Sequence, residues 1–87
     1  MDHKIGSGAR CAMIGYGSWA TALAKVLTEN EPSIGWYVRN PEVLESLRNK
    51  GRNPRYLSNV RFDRTRINPS DDLDRGVSEA DIVILAS

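Results

Sequence analysis

The chain is predicted to be an α/β protein with an open, doubly wound parallel sheet, and three observations carry the prediction. A short apolar run, Arg10-Cys11-Ala12-Met13-Ile14, leads directly into Gly15-Tyr16-Gly17. Behind the glycines, Ala20, Leu23, Ala24 and Leu27 recur at helical spacing. Strand-like and helix-like stretches then alternate as far as Asp81-Ile82-Val83-Ile84-Leu85-Ala86, which is apolar on both faces, as a central parallel strand is.

The first strand, Arg10 to Ile14, ends at Gly15-x-Gly17-x-x-Ala20. This is the dinucleotide-binding fingerprint in its G-x-G-x-x-G/A form, in the context it requires: after a strand and opening a helix. Gly15 is expected to make the sharp turn, because a residue without a Cβ reaches positive φ at no steric cost. Gly17 removes a side chain that would keep a diphosphate away from the backbone. The amides of Ser18, Trp19 and Ala20 then fall in the first helical turn, where they lack intrahelical acceptors and carry the positive end of the helix dipole. An anion binds well at such an end. Ala20 replaces the third glycine; its methyl is expected to hold the helix slightly off the sheet, while Ala favours the helix itself by about 0.8–1 kcal/mol over Gly.

The helix is expected from Ser18 to Glu29 and is stopped by Asn30-Glu31-Pro32-Ser33, since Pro32 disfavours helix at the residue before it. Ile34-Gly35-Trp36-Tyr37-Val38, aromatic and β-branched, is the second strand. The second helix starts near Pro41 with Asn40 as its cap, buries Val43, Leu44 and Leu47, and ends at Gly51. From Lys50 to Arg66 the chain is irregular and basic, with Asp63 the one opposing acid. A short third strand is expected at Thr65 to Asn68, a turn through Pro69-Ser70-Asp71, and a short helix from Leu73 to Val77. Right-handed crossovers between parallel strands then give the order 3-2-1-4, a partial Rossmann fold truncated after the fourth strand. Residues 1–9 are expected to be a flexible tail and residues 10–87 the N-terminal part of a longer nucleotide-binding domain.

With 87 residues the chain forms at most one small domain, burying only about 60–65% of its unfolded surface. Twelve Lys and Arg against eleven Asp and Glu leave a net charge of +1, which favours neither nucleic acid nor a membrane surface. Cys11, the only cysteine, has no disulfide partner in the chain and is expected to be a small buried hydrophobe. His3 has no Cys or His neighbours at ligand spacing, so no metal site is expected. No run reaches membrane-span length and no signal-peptide core is present, so a cytoplasmic location is expected. The open outer edge of the last strand invites pairing with another chain, and a homo-oligomer is expected.

Where the second strand ends, an acidic residue normally binds the adenosine ribose 2′-hydroxyl of NAD. Here stand Arg39 and Asn40. A guanidinium accepts no hydrogen bond but holds a 2′-phosphate through charge-assisted bonds, each worth about 1.5–3 kcal/mol. NADPH is therefore favoured over NADH. Lys50, Arg52, Arg55, Arg61, Arg64 and Arg66, with Tyr56 and Phe62 among them, form a pattern that nucleic-acid surfaces share. The acids at Asp71, Asp72, Asp74, Glu79 and Asp81 and the near-neutral total favour a solvated face or phosphate attraction instead. Trp19 adjoins the phosphate site, and its ring is a candidate to close over the cofactor.

Gly15-Tyr16-Gly17-Ser18-Trp19-Ala20-Thr21-Ala22-Leu23-Ala24, Trp36-Tyr37-Val38-Arg39, Asn53-Pro54-Arg55-Tyr56-Leu57-Ser58-Asn59-Val60 and Ala80-Asp81-Ile82-Val83-Ile84 together resemble the NAD(P)-dependent glycerol-3-phosphate dehydrogenases. Ala20 for glycine and Ser58 for proline are the departures. The resemblance implies cofactor contacts from Ser18, Trp19 and Arg39, with Asn40 and Tyr56 as further candidates beside Gly15, Gly17 and Ala20. It also implies reduction of dihydroxyacetone phosphate to sn-glycerol 3-phosphate for phospholipid synthesis. The family's catalytic lysines and helical substrate domain would lie beyond Ser87, so this chain alone is expected to be inactive. The alternatives are another reductase of this architecture, such as a ketopantoate reductase or a nucleotide-sugar dehydrogenase, and a non-catalytic NAD(P)-sensing module.

Overall fold

Strands and helices alternate in the computed structural model, which describes residues 10–31 and 33–86. The elements are β1 (Cys11–Ile14), α1 (Ser18–Asn30), β2 (Ile34–Tyr37), α2 (Pro41–Lys50), β3 (Ile67–Ser70), α3 (Leu73–Ser78) and β4 (Ile82–Leu85). The sheet is parallel throughout and ordered β3-β2-β1-β4, as expected. The expected tail and Pro32 lie outside the described residues.

The register sorts the side chains into two faces. Cys11 pairs with Ile34, and Ile34 with Ile67, while Met13 pairs with Trp36. These alternate residues point toward α1 and α2 and join Ala20, Ala24, Leu27, Val43, Leu44 and Leu47 in one buried cluster. Each fully buried large side chain in it contributes about 1.5–3 kcal/mol. Ala20 is completely enclosed there, so its methyl is part of the packing. Residues of the other parity, Ala12, Gly35 and Asn68, share the opposite face with Arg75 of α3. On that face Val83 and Leu85 of β4 remain exposed, Leu85 by 78%.

β3 begins later than expected and runs through Pro69 and Ser70, where a turn was anticipated. It lies at the sheet edge, where the amides of Ile34 in β2 and of Val38 just beyond β2 donate to the carbonyls of Arg66 and Ser70. In a parallel ladder the intervening residues turn their own amides outward, so the missing N–H of Pro69 faces the open edge, where a strand tolerates it.

The basic stretch is irregular, as expected, but it is bound down. Phe62 is buried edge-on against Trp36, with ring centroids 5.2 Å apart, and is therefore a core residue and not a surface aromatic. Arg64 donates to the Asn49 carbonyl at the end of α2 (2.7 Å), and Arg66 to the Thr28 carbonyl near the end of α1 (2.8 Å). Both cations sit where helix dipoles present their negative ends. α1 has no basic residue in its own last turn, so Arg66 supplies that charge from the loop. Arg55 pairs with Glu42 at 3.3 Å.

Candidate functional site: the turn between β1 and α1

Gly15 takes φ 120°, the positive value expected of it. Gly17 is different. Its φ of −69° and ψ of −175° suit any residue, and a Cβ built on it would meet nothing within 4 Å. Neither backbone conformation nor packing within the chain requires a glycine here. What the missing side chain leaves clear is an approach from outside to the start of α1.

Three consecutive carbonyls of this turn are drawn inward. The Trp36 indole donates to Gly15 O at 2.6 Å, the Asn53 carboxamide to Tyr16 O at 2.7 Å, and the Thr21 hydroxyl to Gly17 O at 2.8 Å. In a planar trans peptide the N–H points opposite to its C=O, so the amides of Tyr16, Gly17 and Ser18 are turned away from these interior partners. Gly17 brings no side chain to cap α1, and no acidic residue lies in its first turn. Beyond the helix itself, the amides of Ser18, Trp19 and Ala20 make no backbone hydrogen bonds among the described residues. Uncapped donors and the positive helix end suit a diphosphate.

Beside the turn, at the carboxyl ends of β1 and β2, lies a cavity of about 460 Å³ lined by Ile14, Gly15, Tyr16, Tyr37, Arg39 and Asn40. Ligands of open α/β sheets bind at this end of the strands. A larger hollow of about 720 Å³ is lined by Ala12, Gly35 and Asn68 on the opposite sheet face and reaches Arg10 and Ser33 at the amino ends of β1 and β2, away from the glycine turn. Arg39 is exposed, and no carboxylate pairs with it among the described residues. Asn40 lines the cavity and also caps α2, its Oδ1 accepting from Glu42 N (2.9 Å) and Val43 N (3.1 Å).

The structure thus gathers Gly15, Arg39 and Asn40 at the cavity and sets Gly17, Ser18, Trp19 and Ala20 at the adjoining helix end. Tyr56 approaches from the far loop, its ring 6.4 Å from that of Tyr16 and edge-on. The Trp19 ring is 66% exposed and does not line the cavity, so it does not shield the cleft in this structure; its amide remains in the first turn. Tyr16 and Tyr37, which the sequence did not single out for this role, line the cavity. Thr21, Trp36 and Asn53 hold the turn without lining it. All three stand inside motif strings quoted above, which was the one available signal.

This combination defines a nucleotide-binding α/β domain of the doubly wound type. The chain belongs to the family described as NAD-dependent glycerol-3-phosphate dehydrogenase N-terminus, which matches residues 10–87. A glycerol-3-phosphate dehydrogenase (NAD(P)+) of Moorella thermoacetica is 40% identical over 75 residues, 86% of this chain and 22% of its own length. One from Ectopseudomonas mendocina is 39% identical over the same shares. The crystal structure of a glycerol-3-phosphate dehydrogenase from Coxiella burnetii superposes with a TM-score of 0.77 at 27% identity, over 88% of this chain and 23% of that one. The Dunaliella salina enzyme structure also gives 0.77, over 88% of this chain and 16% of its own; at 19% identity it speaks for the fold alone. The chain spans about a fifth of the length of the curated relatives it matches.

Proposed function

We propose that this chain binds NADPH as the nucleotide-binding part of an enzyme that reduces dihydroxyacetone phosphate to sn-glycerol 3-phosphate. The observation that carries the proposal is Gly17, a glycine that neither φ nor packing demands, beside three carbonyls tied inward and a helix end without a cap. A diphosphate is the group that such a cradle fits. The relatives named above are NAD(P)+ enzymes acting on glycerol 3-phosphate, which supports both the cofactor class and the substrate.

The amides at the start of α1 hold the diphosphate, and Arg39, with no carboxylate partner among the described residues, donates charge-assisted bonds to the 2′-phosphate. Asn40 and Tyr56 flank the cofactor. When bound, the nicotinamide supplies the hydride for carbon 2 of the ketone. The residues of this chain bind and orient; the proton for the forming alcohol comes from groups outside it. We place the reaction in the cytoplasm, and the exposed Leu85 on β4 supports association with further protein, a second copy included.

The test is titration of this chain with NADPH, followed by assay of the full-length protein with dihydroxyacetone phosphate. Saturable binding and substrate-dependent NADPH oxidation are expected. Binding without turnover would favour a sensing module. Turnover of ketopantoate instead would assign a different reductase.

A further inference from the structure

Asn53 is completely buried and lies 37 residues from Tyr16 and 32 from Thr21, yet it bonds both. Its Nδ2 donates to Tyr16 O at 2.7 Å and to the Thr21 hydroxyl at 3.0 Å. Its Oδ1 accepts from the amides of Arg55 at 2.9 Å and Tyr56 at 3.2 Å. A carboxamide has two donor hydrogens and two acceptor lone pairs, and all are engaged. Thr21 accepts from Asn53 and turns its own proton to the glycine turn, where Gly17 O at 2.8 Å is the nearer acceptor and Tyr16 O stands at 3.3 Å. A continuous chain of hydrogen bonds therefore runs from the loop amides through Asn53 and Thr21 to the two glycine-turn carbonyls.

The geometry points to Asn53, with Thr21 as its relay, as the positioning residue of the phosphate-binding turn. It holds the Tyr16 and Gly17 peptides so that their outward amides meet the diphosphate, and it ties that turn to the loop carrying Tyr56. This rests on the nucleotide-binding proposal above. The site needs asparagine specifically. An aspartate keeps the acceptor for Arg55 and Tyr56 but offers no donor to Tyr16 O when ionised. A hydrophobic residue satisfies neither side and strands buried carbonyls.

The experiment compares two probes, NADP+ and adenosine 2′-monophosphate, the second of which lacks the diphosphate. Binding is measured on the full chain for Asn53→Asp, Thr21→Val and Thr21→Ser, with thermal melting as a check of folding. Asn53→Asp and Thr21→Val are expected to weaken NADP+ by about tenfold or more while changing adenosine 2′-monophosphate by less than about twofold. Thr21→Ser, which restores the hydroxyl, is expected to recover most of the loss seen in Thr21→Val. A purely structural role would lower both affinities together, and such a result overturns the inference. So does an unchanged NADP+ affinity in a folded variant. If Asn53→Asp does not fold, the Thr21→Val and Thr21→Ser pair decides by the same criteria. A wild-type chain that binds neither probe overturns the nucleotide-binding proposal and this inference with it.

Discussion

The indole Nε1 of Trp36 donates to the Gly15 carbonyl across 2.6 Å, so a side chain from the middle of β2 holds the corner that ends β1. Trp36 is 1% exposed, and water does not replace that bond. Trp36→Phe keeps an aromatic ring against Phe62 but leaves the carbonyl unpaired. A stability loss of about 1–3 kcal/mol is expected in urea unfolding. A loss below about 0.5 kcal/mol would mean that the Gly15 carbonyl finds another donor.

Arg39 borders the cavity at the carboxyl end of β2 and has no carboxylate to neutralise it among the described residues. Arg39→Ala is expected to weaken NADPH by about 1.5–3 kcal/mol and to leave NADH nearly unchanged. Titration with each dinucleotide measures the difference. Equal losses for the two would remove the 2′-phosphate from the account.

Gly51 is a glycine of the opposite kind to Gly17. It closes α2 with φ 68°, and a Cβ there would stand 2.6 Å from the Phe62 carbonyl oxygen. Gly51→Ala is expected to cost more than the roughly 1–2 kcal/mol of the left-handed conformation alone, because the loop that carries Phe62 has to shift. The loss should appear as a lower urea midpoint. An unchanged midpoint would show that the loop yields freely.

Burial, followed by the nearby Glu31 charge, pushes the Cys11 thiol above its ordinary value. A folded-state value above the unfolded one means that the neutral thiol's contribution is fully present below the unfolded value, near pH 8.5, and is lost as pH rises beyond it. Wild type should therefore lose stability more steeply than Cys11→Ala as pH rises above about 8.5. Parallel curves from urea unfolding would contradict this. Native Cys11 is also expected to resist alkylation at neutral pH.

Much of this was legible along the chain because it is local. Gly15, the cap at Asn40 and the stop at Gly51 are each set by neighbours within a few residues, and the sheet order follows from crossover handedness. β3 runs later than its sequence suggests because Pro69 and Ser70 read as a turn; only its place at the sheet edge makes a proline admissible there. Phe62 looked like a surface aromatic among arginines, and nothing local announces that it packs on Trp36 or that Arg64 and Arg66 close distant helix ends. The support of the glycine turn is likewise non-local: Trp36 and Asn53 reach it from 21 and 37 residues away.

The most direct measurement is NADPH affinity and stability of Gly17→Ala. The substitution meets no atom within 4 Å and needs no unusual φ, so unfolding free energy should change by less than about 1 kcal/mol. On the proposed binding mode the added methyl stands in the diphosphate's path to the start of α1, and NADPH affinity is expected to fall by about tenfold or more. A folded variant that binds NADPH as tightly as wild type would contradict the assignment of this turn as the phosphate cradle.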